Sequence, residues 1–351
     1  MKTLLQILSI VLIILFAFSC SDDDSGQRPP ESETLFDIYV VGREDNTLET
    51  NYAKIWKNDI ATELTMGNSI TDAQDVFVYE DDVYVAGMEY EGNHSVAKIW
   101  KNGVASNLTS GATDATAYSV KVNASGVFAC GYEKNENGVW VATYWHNGVS
   151  TPLSNGIENS YAKDIAVSNN NVYVAGRVII DGYTIACLWK NGVLTELANA
   201  DYYSSAESVF VDGNDVYVAG FKESDTNDRA TIWKNGVEIN LSTTNDSYAQ
   251  CIKVVDGKVY VGGWEHFSGS DVATVWIDGE ANYLTDASKN AVVYAIAIYQ
   301  NDVYATGFEE NDNENAGIIK VWKNGEEMTS LTSGLKPAYA TGIRVVSRSF
   351  F

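Results

Sequence analysis

The chain has 351 residues, with 47 Asp and Glu against 23 Lys and Arg and a formal charge of −24 at pH 7. At 45% hydrophobic and 20% charged residues it can bury a large core, which excludes wholesale disorder, and its acidic balance argues against nucleic acid, whose phosphates need a basic face. Frequent Tyr (21), Trp (9) and Gly (28) with only four Pro point to β-strands joined by tight turns.

The first predicted element is a signal segment. Lys2 supplies a positive start, and Leu4 to Phe18 is an apolar run broken only by Gln6 and Ser9. A helix of that length rises about 22 Å, short of the roughly 30 Å hydrocarbon core, so a cleaved signal is favoured over a permanent span. The run ends at Ala17-Phe18-Ser19-Cys20, with small residues one and three positions before a cysteine. Cys20 stands where the acylated cysteine of a lipoprotein stands. The tract Ser21-Asp22-Asp23-Asp24-Ser25 resembles the Ser-acidic tract of Bacteroidota surface lipoproteins. That resemblance implies a lipoprotein signal peptide at 1–19 and a lipidated acidic tether at 20–34. Its acyl chains would enter the lipid bilayer and hold the protein on the outer membrane, facing the cell exterior. Pro29-Pro30 and the polar residues around them suit a short tether.

Residues 35–349 are a repeat. The second-strand signature DVYVAG at Asp82–Gly87 returns at Asp215–Gly220, with variants such as DIYVVG at Asp37–Gly42 and NVYVAG at Asn171–Gly176. Its closing glycines are Gly42, Gly87, Gly131, Gly176, Gly220, Gly263 and Gly307, spaced by 45, 44, 45, 44, 43 and 44 residues. A second signature, IWKNG or a relative, follows each and carries Trp56, Trp100, Trp145, Trp189, Trp233, Trp276 and Trp322. Each copy holds four short apolar runs with period-two alternation and no helical period. In one copy they begin at Ala162–Val167, Val172–Ala175 and Ile185–Trp189, with a fourth ending near Leu197. Four strands in about 44 residues make a propeller blade, too small to bury its faces alone. The expected fold is therefore all-β: a seven-bladed β-propeller of four-stranded blades. The first copy starts directly in its second strand, and the chain ends on Ala340–Val345, which matches the first strands of other copies. The C-terminal strand is expected to close the ring and remove an open sheet edge.

The order Ser-x-Ala, short turn, Val-x-Gly, variable loop, Ala-x-x-Trp-x-Asn-Gly, Leu resembles the extracellular HAF repeat of secreted bacterial propeller-like proteins. The resemblance implies this fold and an extracellular setting, and implies no enzymatic activity.

The seven tryptophans recur just before a tight turn, which makes them wedges between blades rather than a sugar platform. The Asn-Gly pairs fit type I′ hairpin turns. Cys130, Cys187 and Cys251 fall at different repeat positions, and His94, His146 and His266 in three different copies, so neither a disulfide, a zinc set nor a triad emerges. Asn311 to Asn315 offers calcium-like oxygens without the EF-hand pattern and is expected to be a solvated loop. No cofactor motif is present. The loops after the second and fourth strands vary most and should share one face, where a rigid scaffold presents binding surface. On that face Glu44, Glu89, Glu133, Glu265 and Glu309 share one repeat position, two after the closing glycine. They suggest a carboxylate ring for a cation or basic ligand, walled by Tyr132, Trp264 and Phe308, one residue earlier in their copies. Trp140, Tyr202, Tyr203 and Phe267 add rings for stacking on sugars. The expected function is a non-enzymatic surface propeller for a glycan or protein ligand. The alternative is a carbohydrate-active hydrolase or lyase with paired carboxylates at the channel mouth.

Overall fold

The computed structural model describes residues 36–46, 50–242, 244–311 and 316–348; the expected signal peptide, Cys20 and the tether lie outside them. The described residues form twenty-eight strands and no helix. The strands make seven four-stranded antiparallel sheets, so the chain is an all-β, seven-bladed β-propeller. Blade 4 shows the plan: Ser160–Ser168 is innermost, followed outward by Asn171–Ile180, Tyr183–Lys190 and Val193–Glu196.

Blade 1 is completed from the far end of the chain. Its inner strand is Ala338–Ser347, which pairs antiparallel with Phe36–Asp45, Phe36 opposite Ser347 and Glu44 opposite Ala338. Side chains lock the same seam. Arg348 donates to Asp37 at 2.9 Å, and Lys57 and Asn58 reach the same carboxylate at 2.8 Å each.

Each closing glycine is required by a bulge in the inner strand beside it. In blade 4 the register shifts between Ala162 and Asp164, opposite Gly176, and the other six blades break register at the equivalent place. The bulge brings a carbonyl against the second strand. A Cβ at Gly176 would lie 2.0 Å from Tyr161 O, at Gly131 1.9 Å from Thr116 O, and at Gly307 1.8 Å from Val292 O. No side chain fits there, so glycine is kept for close approach and not for its φ.

The tryptophans are wedges, as their recurrence predicts. All seven are at most 2% exposed. Seven separate apolar clusters hold one tryptophan each: Trp189 of blade 4 packs with Phe128, Cys130 and Ala142 of blade 3 and with Ile165 and Val174 of its own blade. Truncating such a ring to Ala costs about 3–5 kcal/mol.

The Asn-Gly turns have positive φ at both residues, for example 51° and 80° at Asn191-Gly192. The turn asparagine has a second role. Its Oδ1 accepts an N–H near the start of the second strand, at 2.9 Å from Val172 to Asn191, and blade after blade repeats the bond, with Asp278 substituting in blade 6.

Burial would raise the Asp37 carboxyl, but the bonds from Lys57, Asn58 and Arg348 outweigh it and bring it down to about 2. The unfolded value is near 3.9, so this contribution to stability is complete above about pH 4 and is lost as the pH falls toward 2. Asp37→Asn is expected to lower the melting midpoint at pH 7 and to flatten the acid loss between about pH 4 and 2. Midpoints that fall in parallel for both proteins across that window would contradict the role given to this carboxylate.

Candidate functional site

Both variable loop sets emerge on one face. The loop entering each blade accepts a backbone bond from the second strand of that blade, as in Tyr90 N–H to Ile70 O (2.9 Å), Glu223 N–H to Tyr203 O (2.8 Å) and His266 N–H to Asp246 O (2.8 Å). Several expected loops are strand instead. In blade 4 the second and third strands continue to Ile180 and resume at Tyr183, with only Asp181-Gly182 as the turn. Blades 2 and 6 carry similar arms, Tyr90 pairing with Ser95 and His266 with Asp271. The alternation of the second strand simply runs past the glycine, which punctuates the bulge and does not end the strand.

In six blades the residue directly after the closing glycine packs on a side chain near the start of an inner strand. Tyr132 lies 5.6 Å from Tyr118, 5.3 Å from Tyr161 and 4.7 Å from Trp140. Tyr203, Phe221, Tyr248 and Trp264 form a continuous pile with centroid spacings of 5.6, 4.0 and 4.7 Å. Phe308 bridges Tyr294 and Tyr339, and Arg43 covers Tyr339 at 5.1 Å while donating to Asp72 at 2.9 Å. Arg177 covers Tyr161 at 4.8 Å. The expected walls Tyr132, Trp264 and Phe308 thus belong to an aromatic collar around the mouth. In the collar Tyr203 is 41% exposed and Phe221 only 5%, so the first offers a face and the second backs it.

The five glutamates do not form the expected ring. Being one residue further along a strand, they face the opposite side of the sheet from the collar. Glu44 pairs with Lys54 at 2.8 Å, Glu89 with Lys98 at 3.3 Å and Glu309 with Lys320 at 3.4 Å, each lysine on the third strand of the same blade. Glu265 is buried and accepts from Ser242 (2.7 Å), Asn245 (2.9 Å) and Tyr283 (3.2 Å). Glu133 is half-buried, and burial, not mutual repulsion, raises its carboxyl. Lys222, at the same position in blade 5, pairs with Glu238 at 2.9 Å. Among the described residues no group of three or more His, Cys, Asp or Glu is placed to hold a metal ion.

Charge gathers instead on the axis, where the bulges expose inner-strand amides. Asp75 accepts from Val76 N–H at 2.9 Å, Val120 N–H at 3.1 Å and Lys121 at 2.9 Å. Asp164 accepts from Ile165 N–H at 2.9 Å, Ser119 at 2.7 Å, Ser208 at 2.8 Å and Val209 N–H at 3.0 Å, with Lys121 at 3.4 Å. Burial alone would raise both carboxyls; Lys121 above all outweighs it and holds both below the ordinary value. Nearer the mouth Lys163 and Glu207 face each other at 3.7 Å. These residues line an axial cavity of about 100 Å³. They are missing from the sequence expectation, although a signal exists. The buried pairs Ala73/Val76, Ala162/Ile165 and Ala249/Ile252 are three apart, a break in period-two alternation that marks a bulge.

The remaining candidates stay apart. Cys130, Cys187 and Cys251 are buried free thiols. His94 contacts Asp114 at 3.2 Å, His266 contacts Asp271 at 2.8 Å, and His146 stacks on Phe128 at 4.1 Å. Of the Asn311 to Asn315 stretch only Asn311 lies within the described residues.

No protein-family model and no curated protein matches the chain. Solved structures do. The β-propeller domain of the Trilobed protease from Pyrococcus furiosus, which has an open velcro topology, superposes with a TM-score of 0.53 at 15% identity over 87% of this chain and 96% of that one. The Pyrococcus horikoshii acylaminoacyl peptidase gives 0.52 at 16% identity over 87% of this chain. The chain spans about half of that peptidase, 52% of its length. The likeness is one of fold, and a fold carries no activity by itself.

Proposed function

We propose that this protein is a lipid-anchored, surface-displayed propeller that binds a glycan at the aromatic collar of its loop face, without cleaving it. The observation that carries this is the Tyr203–Phe221–Tyr248–Trp264 pile, a run of rings in which Phe221, Tyr248 and Trp264 sit on strands and Tyr203 directly precedes one. Sugar rings present apolar C–H faces that pack on such rings, while tyrosine hydroxyls and neighbouring charges meet their hydroxyls. Tyr202 and Asp225, hydrogen-bonded to each other, and Lys222 line a hollow of about 310 Å³ on the same face, large enough for a sugar unit. Of the three carboxylates that line this hollow, Asp225 accepts from Tyr202, Glu238 pairs with Lys222 and Glu223 accepts from Tyr203 N–H, which favours binding over two-carboxylate hydrolysis.

Purified residues 21–351 are expected to be retained on one class of surface-bound polysaccharide with no release of sugar, and Tyr203→Ala with Trp264→Ala to weaken retention about tenfold or more. Release of sugar would establish the hydrolase or lyase alternative, and retention on proteins alone would remove the glycan. For the anchor, Cys20→Ala should move the protein from membranes to the soluble fraction. Replacing Asp22, Asp23 and Asp24 by Ala should leave it membrane-bound but shielded from protease added to intact cells. Continued shaving of that second variant would mean that the tract is only a tether.

A further inference from the structure

The axis of this very acidic protein is cationic on one side. The residue that follows the inner-strand bulge is Asp75 in blade 2 and Asp164 in blade 4, and these two carboxylates satisfy the inner-strand amides of Val76, Val120, Ile165 and Val209, in blades 2 to 5. In blades 6, 7 and 1 the equivalent residues are Cys251, Ala295 and Gly342, none of which brings a negative charge. Burial pushes the Cys251 thiol up to about 12, so it stays neutral.

That same side carries two cations. Lys253 and Arg344 line the axial cavity, half-buried, on the inner strands of blades 6 and 1. Their polar contacts are backbone carbonyls, Ile252 O at 3.2 Å for Lys253 and Val76 O at 3.2 Å for Arg344, and their flat contacts are Phe210 and Phe77. Among the described residues neither has a carboxylate within 4.0 Å, whereas Lys121, on the other side, has both Asp75 and Asp164. Blade 7, between the two cations, lines the cavity with Tyr294, Ala295 and Ile296, none of which brings a charge.

We propose that the channel binds one small oxyanion between Lys253 and Arg344, taking the place that Asp75 and Asp164 fill elsewhere around the ring. The ligand class is a carboxylate, sulfate or phosphate group. A cavity of about 100 Å³ holds about three waters' worth of volume, enough for such a group and too little for a sugar ring. The group is therefore either a free inorganic ion or the acid of a larger ligand reaching down from the mouth. Burial and Arg344 push the Lys253 ammonium below its ordinary value against the more distant attraction of Asp164, and an anion beside it would relieve that repulsion. Guanidinium and ammonium together suit an oxyanion better than chloride, because the planar fork meets two oxygens at once. The site stands whether or not the collar binds a glycan.

The test is calorimetric and thermal titration of the full-length protein in neutral detergent with sodium sulfate, sodium phosphate and sodium galacturonate, at ionic strength held constant with chloride. Saturable one-to-one binding and a rise in the melting midpoint are expected for at least one of them. Lys253→Met and Arg344→Met should each weaken it at least tenfold, and Lys253→Met without added anion should melt no lower than the parent. Binding of sulfate or phosphate but not galacturonate assigns the site to a free ion; galacturonate that competes with sulfate assigns it to the acid group of a ligand. If Arg344→Met fails to fold, crystals of the unaltered protein grown with selenate decide the matter by an anomalous peak between the two side chains. Absence of any saturable effect beyond chloride, equal binding by Lys253→Met, or no selenate peak there would overturn the proposal.

Discussion

The architecture depends on one steric constraint: an inner-strand carbonyl that passes within 1.8–2.0 Å of where a Cβ would stand on each closing glycine. The contact exists because every inner strand carries a bulge at that level. The bulge shifts the register once, so the strand presents two successive residues to the axis before alternation resumes. It also frees backbone amides, which then need acceptors inside the channel. Asp75, Asp164 and Ser208 supply them, and the cations follow the carboxylates. The charged channel is thus a consequence of how the second strand and inner strand are fitted together.

Around this axis the apolar interior is divided rather than continuous. Each of the seven clusters joins two neighbouring blades through one tryptophan, and the last joins Trp56 of blade 1 to Tyr304 and Ile319 of blade 7 and to Ile343 of the closing strand. Every blade therefore depends on its neighbour, and the seam made by the C-terminal strand completes the seventh interface as well as the first sheet. A rigid ring of this kind holds the collar aromatics in place through strands, which is what allows a shallow mouth to act as a binding surface.

Much of the fold was legible because its determinants are local and repeated. Glycine spacing, the Trp-x-Asn-Gly element and the unpaired first copy lead to seven blades and to C-terminal closure. The site was less legible because a shared repeat position does not imply convergence. Glu44, Glu89 and Glu309 occupy one position in the repeat, yet alternation turns them to the sheet face opposite the collar, toward Lys54, Lys98 and Lys320. A sequence signal for those pairs was present: glutamate two after the glycine coincides with lysine two before the tryptophan in those three copies. The axial charges were hidden because an alternating pattern was assumed through the bulge, where Ala-x-x-Val or Ala-x-x-Ile replaces Ala-x-Val.

The central claim is that the closing glycines are fixed by the bulge and not by backbone freedom. It is tested most directly by comparing the unfolding free energies of Gly131→Ala and Gly182→Ala. Gly131 would place a Cβ 1.9 Å from Thr116 O, whereas Gly182 has φ +85° and open space around its Cβ. The account predicts a loss of about 3 kcal/mol or more, or failure to fold, for Gly131→Ala, against about 1 kcal/mol for the turn glycine. A Gly131→Ala protein as stable as the parent, or no less stable than Gly182→Ala, would contradict it.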